Sequence, residues 1–213
     1  FPGMANKWLG KIATKVAVSF KESKQFFPKN KVEVTGNMIH EKLCQPREDF
    51  APPSKQPFKI LILGGSQGAH SINLGIIEAL DFLSDRKKIL QITHQTGEAD
   101  YEYIKNQYHE KGFDANVMSF ITDMHLQYRL ASLVICRSGA TTIAEITAAG
   151  RVSALIPFPY AANNHQEHNA RIIETANAGE VILDSEISGE RLAKSIIRAM
   201  DEPEDLQKME DNS

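Results

Sequence analysis

The chain has 213 residues, 42% of them hydrophobic and 24% charged, with a formal net charge of −3. That length gives one ordinary domain with a sizeable core and part of a second. The acidic balance argues against a general nucleic-acid binder, and no apolar run approaches the roughly 20 residues of a membrane span.

Cys44 and Cys136 are far apart and form neither a disulfide framework nor a metal-ligand spacing. Free thiols fit a reducing cytoplasm. The first residue is Phe1, which we read as the start of a piece of something longer. Residues 6–20 place Trp8, Leu9, Ile12, Ala13, Val16, Ala17 and Phe20 at helical spacing, with Lys7, Lys11 and Lys15 in a stripe. This predicts a helix covering a sheet with a solvated basic face; a face near anionic lipid is the alternative. Residues 31–37 read as a short strand ending in a turn. Residues 45–57 hold four prolines and much charge, so no regular element is expected there.

From residue 58 strands and helices alternate. Predicted strands are 58–63, 88–95, 115–120, 132–137, 152–158 and 180–184; predicted helices are 69–84, 98–111, 123–131, 140–149, 164–178 and 188–200. The strands are short and apolar with little alternation, as expected when both sheet faces are covered. The expected fold is a doubly wound, Rossmann-like parallel α/β sheet with right-handed crossovers.

In such sheets ligands bind beyond the carboxyl ends of the strands, where four polar or glycine-rich stretches fall. Gly64, Gly65, Ser66, Gln67 and Gly68 form a bare bend before a helix, suited to a phosphate by backbone approach and by the helix dipole. A tight turn without ligand is the plainer reading. The bend matches neither G-x-x-x-x-G-K-[ST] nor G-x-G-x-x-G. In 136–145, Ser138 and Gly139 precede a helix whose first turns are small, and Glu145 can accept bonds from two ribose hydroxyls or be merely solvated. Residues 157–170 hold three asparagines, His165, Gln166 and His168, which suits a ligand with many hydroxyls. Residues 119–124 can offer backbone groups to a base edge. No third ligand makes the histidines a metal site. No D-x-D pair occurs, and no G-x-S-x-G nucleophile turn. The residues together suggest a nucleotide or nucleotide sugar.

The stretches NKWLGKIATKV (6–16), VTGNMIH (34–40), LGGSQGA (63–69), SFITDM (119–124), CRSGATTIAE (136–145) and PYAANNHQEHNA (159–170) resemble, in this order, the MurG-type glycosyltransferases. These are bacterial enzymes that move N-acetylglucosamine from UDP-N-acetylglucosamine to the lipid-linked muramoyl-pentapeptide precursor of peptidoglycan. The resemblance implies the GT-B architecture of two facing domains. Residues 1–37 would be the last helix and strand of an amino-terminal acceptor domain, otherwise absent, and 38–213 the donor-binding domain, cut short at its carboxyl end. It implies donor contacts from Gly65, Ser66 and Gln67 at the phosphates, from the backbone of Ile121 at uracil, and from Ala140, Thr141, Thr142, Ile143, Ala144 and Glu145 along the nucleotide, with Glu145 on the ribose. Gln166, with His165 beside it, would face the sugar, and Asn169 would be a further donor contact. His40 stands where the family has an arginine that assists donor binding, and an imidazole lacks the permanent charge and bidentate fork of a guanidinium. No catalytic base is expected in this chain, and neither cofactor nor metal is required. The resemblance further implies a cytoplasmic location with peripheral contact to the inner membrane, and no nucleic-acid partner. A related GT-B UDP-sugar transferase, a non-catalytic nucleotide-sugar binding subunit and a sugar-phosphate epimerase of similar fold remain as alternatives.

Overall fold

The computed structural model describes residues 3–43, 57–65 and 68–213. The helix expected over 6–20 is two elements. α1 (Met4–Ile12) ends where Ala13 turns extended, and β1 (Val16–Val18) pairs in parallel with β2 (Val32–Val34). Helical spacing continued through Val16, but a parallel partner strand satisfies the backbone of this β-branched stretch instead. Met4, Trp8 and Ile12, on successive turns of α1, are exposed, so the expected apolar face is uncovered among the described residues. A 3₁₀ turn (Lys21–Phe26) joins the two strands, and another (Glu41–Leu43) carries Leu43 into the main core. The proline-rich stretch lies outside the described residues, apart from Pro57.

The main sheet is parallel throughout. Its strands are β3 (Phe58–Leu63), β4 (Leu90–Gln95), β5 (Ala115–Met118), β6 (Leu133–Cys136), β7 (Ser153–Leu155) and β8 (Gly179–Val181), in the spatial order β5-β4-β3-β6-β7-β8. The helices are α2 (His70–Phe82), α3 (Tyr101–Lys111), α4 (Met124–Leu130), α5 (Ala140–Ala149), α6 (His165–Thr175), α7 (Gly189–Asp201) and α8 (Pro203–Asp211), the last not foreseen from sequence. The doubly wound expectation holds.

Strand side chains alternate between two apolar layers, which explains the missing polar alternation. Ile60 and Ile62 join Leu133 and Ile135 in the layer under α2, α3 and α7, while Leu61 and Leu63 join Val134 and Cys136 under α5 and α6. Among the described residues the buried side-chain polar atoms have partners, except Ser153 Oγ. Arg151, just past α5, pairs with Glu210 of α8 at 3.1 Å with both side chains buried, and also donates to the carbonyls of Tyr128 and Arg129. A buried pair adds little net stability, but losing one partner leaves an uncompensated charge. Arg151 therefore fixes α8 in place.

Behind the glycine bend, α2 is tied to β4. Asn73 donates to the Thr96 carbonyl and to Asp100, which leaves its own oxygen as acceptor for His94 Nε2 at 3.0 Å. His94 Nδ1 then accepts from the Tyr108 hydroxyl at 2.9 Å. This neutral ring has both nitrogens satisfied, and burial lowers its pKa from 6.5 to about 3. The unfolded chain binds this proton more tightly, so the contribution to stability is complete above pH 6.5 and is lost as pH falls toward 3. We predict a loss of up to about 1.4 kcal/mol per pH unit across that window from this one ring. Urea unfolding over a pH series should show it, with the slope shallower in His94→Gln.

Candidate nucleotide-binding site

The strand order reverses between β3 and β6, which start helices on opposite faces of the sheet and so open a crevice at their carboxyl ends. The bend after β3 lies at this point. Ser66 and Gln67 lie outside the described residues. The bareness of Gly64 and Gly68 serves the chain itself. A Cβ on Gly64 would stand 2.2 Å from the Ala69 nitrogen, and one on Gly68 would stand 2.3 Å from the Thr96 carbonyl oxygen. Gly65 and Gly68 both have positive φ, +78° and +79°, but a Cβ on Gly65 would meet nothing within 4 Å. Of the three, only Gly65 leaves open space beside its backbone.

α5 starts at Ala140 beyond Gly139, and its first N–H groups have no helical partners. Ala140, Thr141, Ala144 and Glu145 share one side of the helix, opposite Ile143, Ile146 and Ala149 in the core. Ile143 is 4% exposed, so its expected contact with a ligand is limited to its backbone. Thr142 lies at the margin, its hydroxyl 3.7 Å from where a Gly139 Cβ would sit. Glu145 is half-buried and accepts the Tyr128 hydroxyl at 3.1 Å. Burial raises its pKa, opposed by the Tyr128 bond and by His40. Asn37 donates to Thr141 Oγ1 at 3.1 Å, which brings the segment before β3 along α5. His40 thereby stacks on His125, ring centroids 5.1 Å apart, and its Nδ1 accepts the Lys42 N–H. Burial, then Lys42 and His40, lower the His125 pKa.

Before α6, Asn163 and Asn164 both have φ near +55° (55° and 54°), a region asparagine tolerates better than most residues. The Gln166 side-chain oxygen accepts the Phe158 N–H at 3.0 Å, and its backbone carbonyl accepts the Ser138 hydroxyl at 2.8 Å. Its amino group donates to no described residue. Asn169 is buried and donates to the Ser138 carbonyl, so it clamps α6 to the exit of β6. His165 Nδ1 donates to the Ala162 carbonyl at 2.8 Å. Ala140, His165 and Asn169 share a cavity of about 510 Å³ with Val18, Phe20 and Phe27, a size that suits a sugar. Glu145 and Ile121 lie outside its lining.

Ile121 is buried, and its N–H donates to Gln95 Oε1 at 2.9 Å. In this conformation only its carbonyl is left for a base. Sequence reasoning missed Gln95, Tyr128 and Arg137. Arg137 donates to the Ile156 and Pro157 carbonyls, to Asp184 at 2.5 Å and to Ser71 at 2.9 Å, which knits the ends of β6 and β7 to the start of α2. A charge or amide ending a buried strand was a usable signal for Arg137 and Gln95. Nothing local marked Tyr128.

The profile of the glycosyltransferase family 28 C-terminal domain matches residues 59–213. The chain is 44% identical, over its whole length and 60% of the relative's, to a Citrifermentans bemidjiense protein named UDP-N-acetylglucosamine–N-acetylmuramyl-(pentapeptide) pyrophosphoryl-undecaprenol N-acetylglucosamine transferase. A protein of the same name from Thermodesulfovibrio yellowstonii is 46% identical over 98% of this chain and 58% of its own. Among solved structures, Acinetobacter baumannii MurG superposes with a TM-score of 0.75 at 29% identity, over 97% of this chain and 57% of that one. A putative UDP-N-acetylglucosamine 2-epimerase from Listeria monocytogenes shares the fold at 16% identity and a TM-score of 0.64, over 99% of this chain and 57% of that one. The chain thus spans about three-fifths of the curated relatives it matches. It belongs to glycosyltransferase family 28, whose C-terminal domain it carries.

Proposed function

We propose that this chain is the donor-binding part of an inverting glycosyltransferase that moves N-acetylglucosamine from UDP-N-acetylglucosamine to the lipid-linked muramoyl-pentapeptide precursor of peptidoglycan. Residues 38–213 hold the donor; residues 1–37 belong to an amino-terminal domain that supplies the acceptor and the base. The observation that carries this reading is a half-buried carboxylate, Glu145, two turns into a helix that starts at the strand-order reversal. A diphosphate at the α5 start and the Gly65 backbone brings its ribose hydroxyls to Glu145, and the sugar then extends toward Gln166 and His165.

In this reaction the acceptor's 4-hydroxyl attacks the anomeric carbon, the bond from that carbon to the UDP oxygen breaks, and the hydroxyl proton passes to a base on the other domain. Charge on departing UDP is stabilised by backbone N–H groups and the α5 dipole, without metal or cofactor. His40 gives a weaker donor contact than an arginine would. The complete protein works on the cytoplasmic face of the membrane that carries its lipid acceptor. The contact with that membrane is peripheral in this reading; among the described residues no helix is long and apolar enough to cross a membrane.

Calorimetry should detect weak UDP binding by the folded chain, and Glu145→Gln should weaken it about ten- to a hundredfold, the range for a hydrogen bond to a charged group. Equal binding by both would overturn the reading, and radiolabelled transfer by the chain alone would overturn the assignment of the base elsewhere. Competition by a panel of UDP-sugars should favour N-acetylglucosamine.

Tyr128→Phe removes a bond that holds the Glu145 pKa down. The carboxyl should therefore protonate at higher pH, and UDP affinity should begin to fall at higher pH on acidification than in the unsubstituted chain. A carbon-13 titration of the Glu145 carboxyl and calorimetry across pH 4 to 8 check both.

A further inference from the structure

β4 ends in Gln95, a residue 2% exposed. Its side-chain amide reaches two turns far apart in sequence: Nε2 donates to the Gly65 carbonyl at 2.8 Å, and Oε1 accepts the Ile121 N–H at 2.9 Å. Backbone bonds already join these strands up to their ends, with Gly64 donating to Gln95, Thr96 to Met118 and Gly97 to Ser119. The Gln95 side chain extends that joining past the sheet, where the chain leaves regular structure. Among the described residues no other side chain bonds to both turns. The two contacts have opposite polarity, so the amide has one orientation. Reversed, it would set N–H against N–H and oxygen against oxygen. Both contacted groups are backbone atoms of turns that the donor-site reading gives to the two ends of one ligand.

We propose that Gln95 is a positioning residue that fixes the glycine bend and the Ile121 turn as one unit, so that a nucleoside diphosphate meets its phosphate-side and base-side turns at a set separation. The proposal rests on the donor-site reading. Its particular consequence is that the two halves of the grip can be uncoupled by changing one atom. Gln95→Glu keeps an acceptor for Ile121 but turns a second oxygen toward the Gly65 carbonyl, which displaces the bend alone. Gln95→Met fills similar space and bonds to neither turn. A buried carboxyl also protonates readily, and its O–H then donates to Gly65 as the amide does.

The experiment uses the full chain, with UDP and uridine as probes and urea unfolding as the check on folding. At pH 8.5 Gln95→Glu should bind UDP about tenfold more weakly than the unsubstituted chain, the scale of one hydrogen bond, while uridine binding stays within about twofold. At pH 5.5 the UDP deficit relative to the unsubstituted chain should close. Gln95→Met should lose affinity for both probes at both pH values. Amide hydrogen exchange without ligand should quicken about tenfold or more at Ile121 in Gln95→Met only, and at Gly68, whose N–H donates to the Gly65 carbonyl, in both variants. Equal loss of UDP and uridine in Gln95→Glu, no recovery at low pH, or unchanged Ile121 exchange in Gln95→Met overturns the proposal. Absent UDP binding by the unsubstituted chain overturns the donor-site reading instead, and the exchange data still judge the role of Gln95.

Discussion

The reversal of strand order between β3 and β6 is the constraint on which the site depends. Every strand in the sheet is parallel, so every helix that follows a strand starts at the same edge of the sheet. Successive units built outward from β3 in one direction and from β6 in the other. The helices that follow these two neighbours therefore diverge to opposite faces, and nothing in the sheet itself fills the gap between them. Gly65, Ser138 and the start of α5 are set around that gap by topology before any side chain acts.

Side chains then fix the turns. A loop leaving a sheet has backbone groups without ladder partners, and here buried polar side chains supply them. Gln95 serves the turns after β3 and β5, Asn73 and His94 hold α2 to β4, and Arg137 gathers the ends of β6 and β7 to Asp184 and Ser71. Each is costly to bury unpaired, so each favours one loop arrangement over its alternatives. The glycines belong to the same account. Gly64 is bare because backbone crosses there, Gly65 because its φ is positive, and Gly68 for both reasons. The turns around the crevice are thus held largely by side chains bonded to the chain itself.

Glu145 shows two opposing effects on one carboxyl. Burial favours the neutral acid, while the Tyr128 hydroxyl and His40 favour the anion. His40 reaches this place because Asn37 and Leu43 hold its segment along α5 and in the core. A histidine at this position stacks on His125 and lacks the bidentate fork that an arginine would offer beside Glu145.

Sequence alone determined the succession of β–α units, because short apolar strands and 3.6-residue spacing are local patterns. It also marked the bare and polar turns directly after the buried strands, but not what their bareness serves, which at Gly64 and Gly68 is the close crossing of the chain's own backbone. The exact agreement at α5, residues 140–149, reflects a clear start at Gly139 and a left-handed stop at Gly150. Tertiary structure decided what depends on partners distant in the chain. Val16–Val18 became a strand because Val32–Val34 lay beside it, against its helical spacing. Ile143 fell to the core and Glu145 to the crevice because the sheet chose which side of α5 to cover. Gln95 and Arg137 stood out locally only as an amide and a charge ending buried strands, and Tyr128 not at all; the partners of all three lie 17 to 66 residues away, a separation over which no local pattern names a partner.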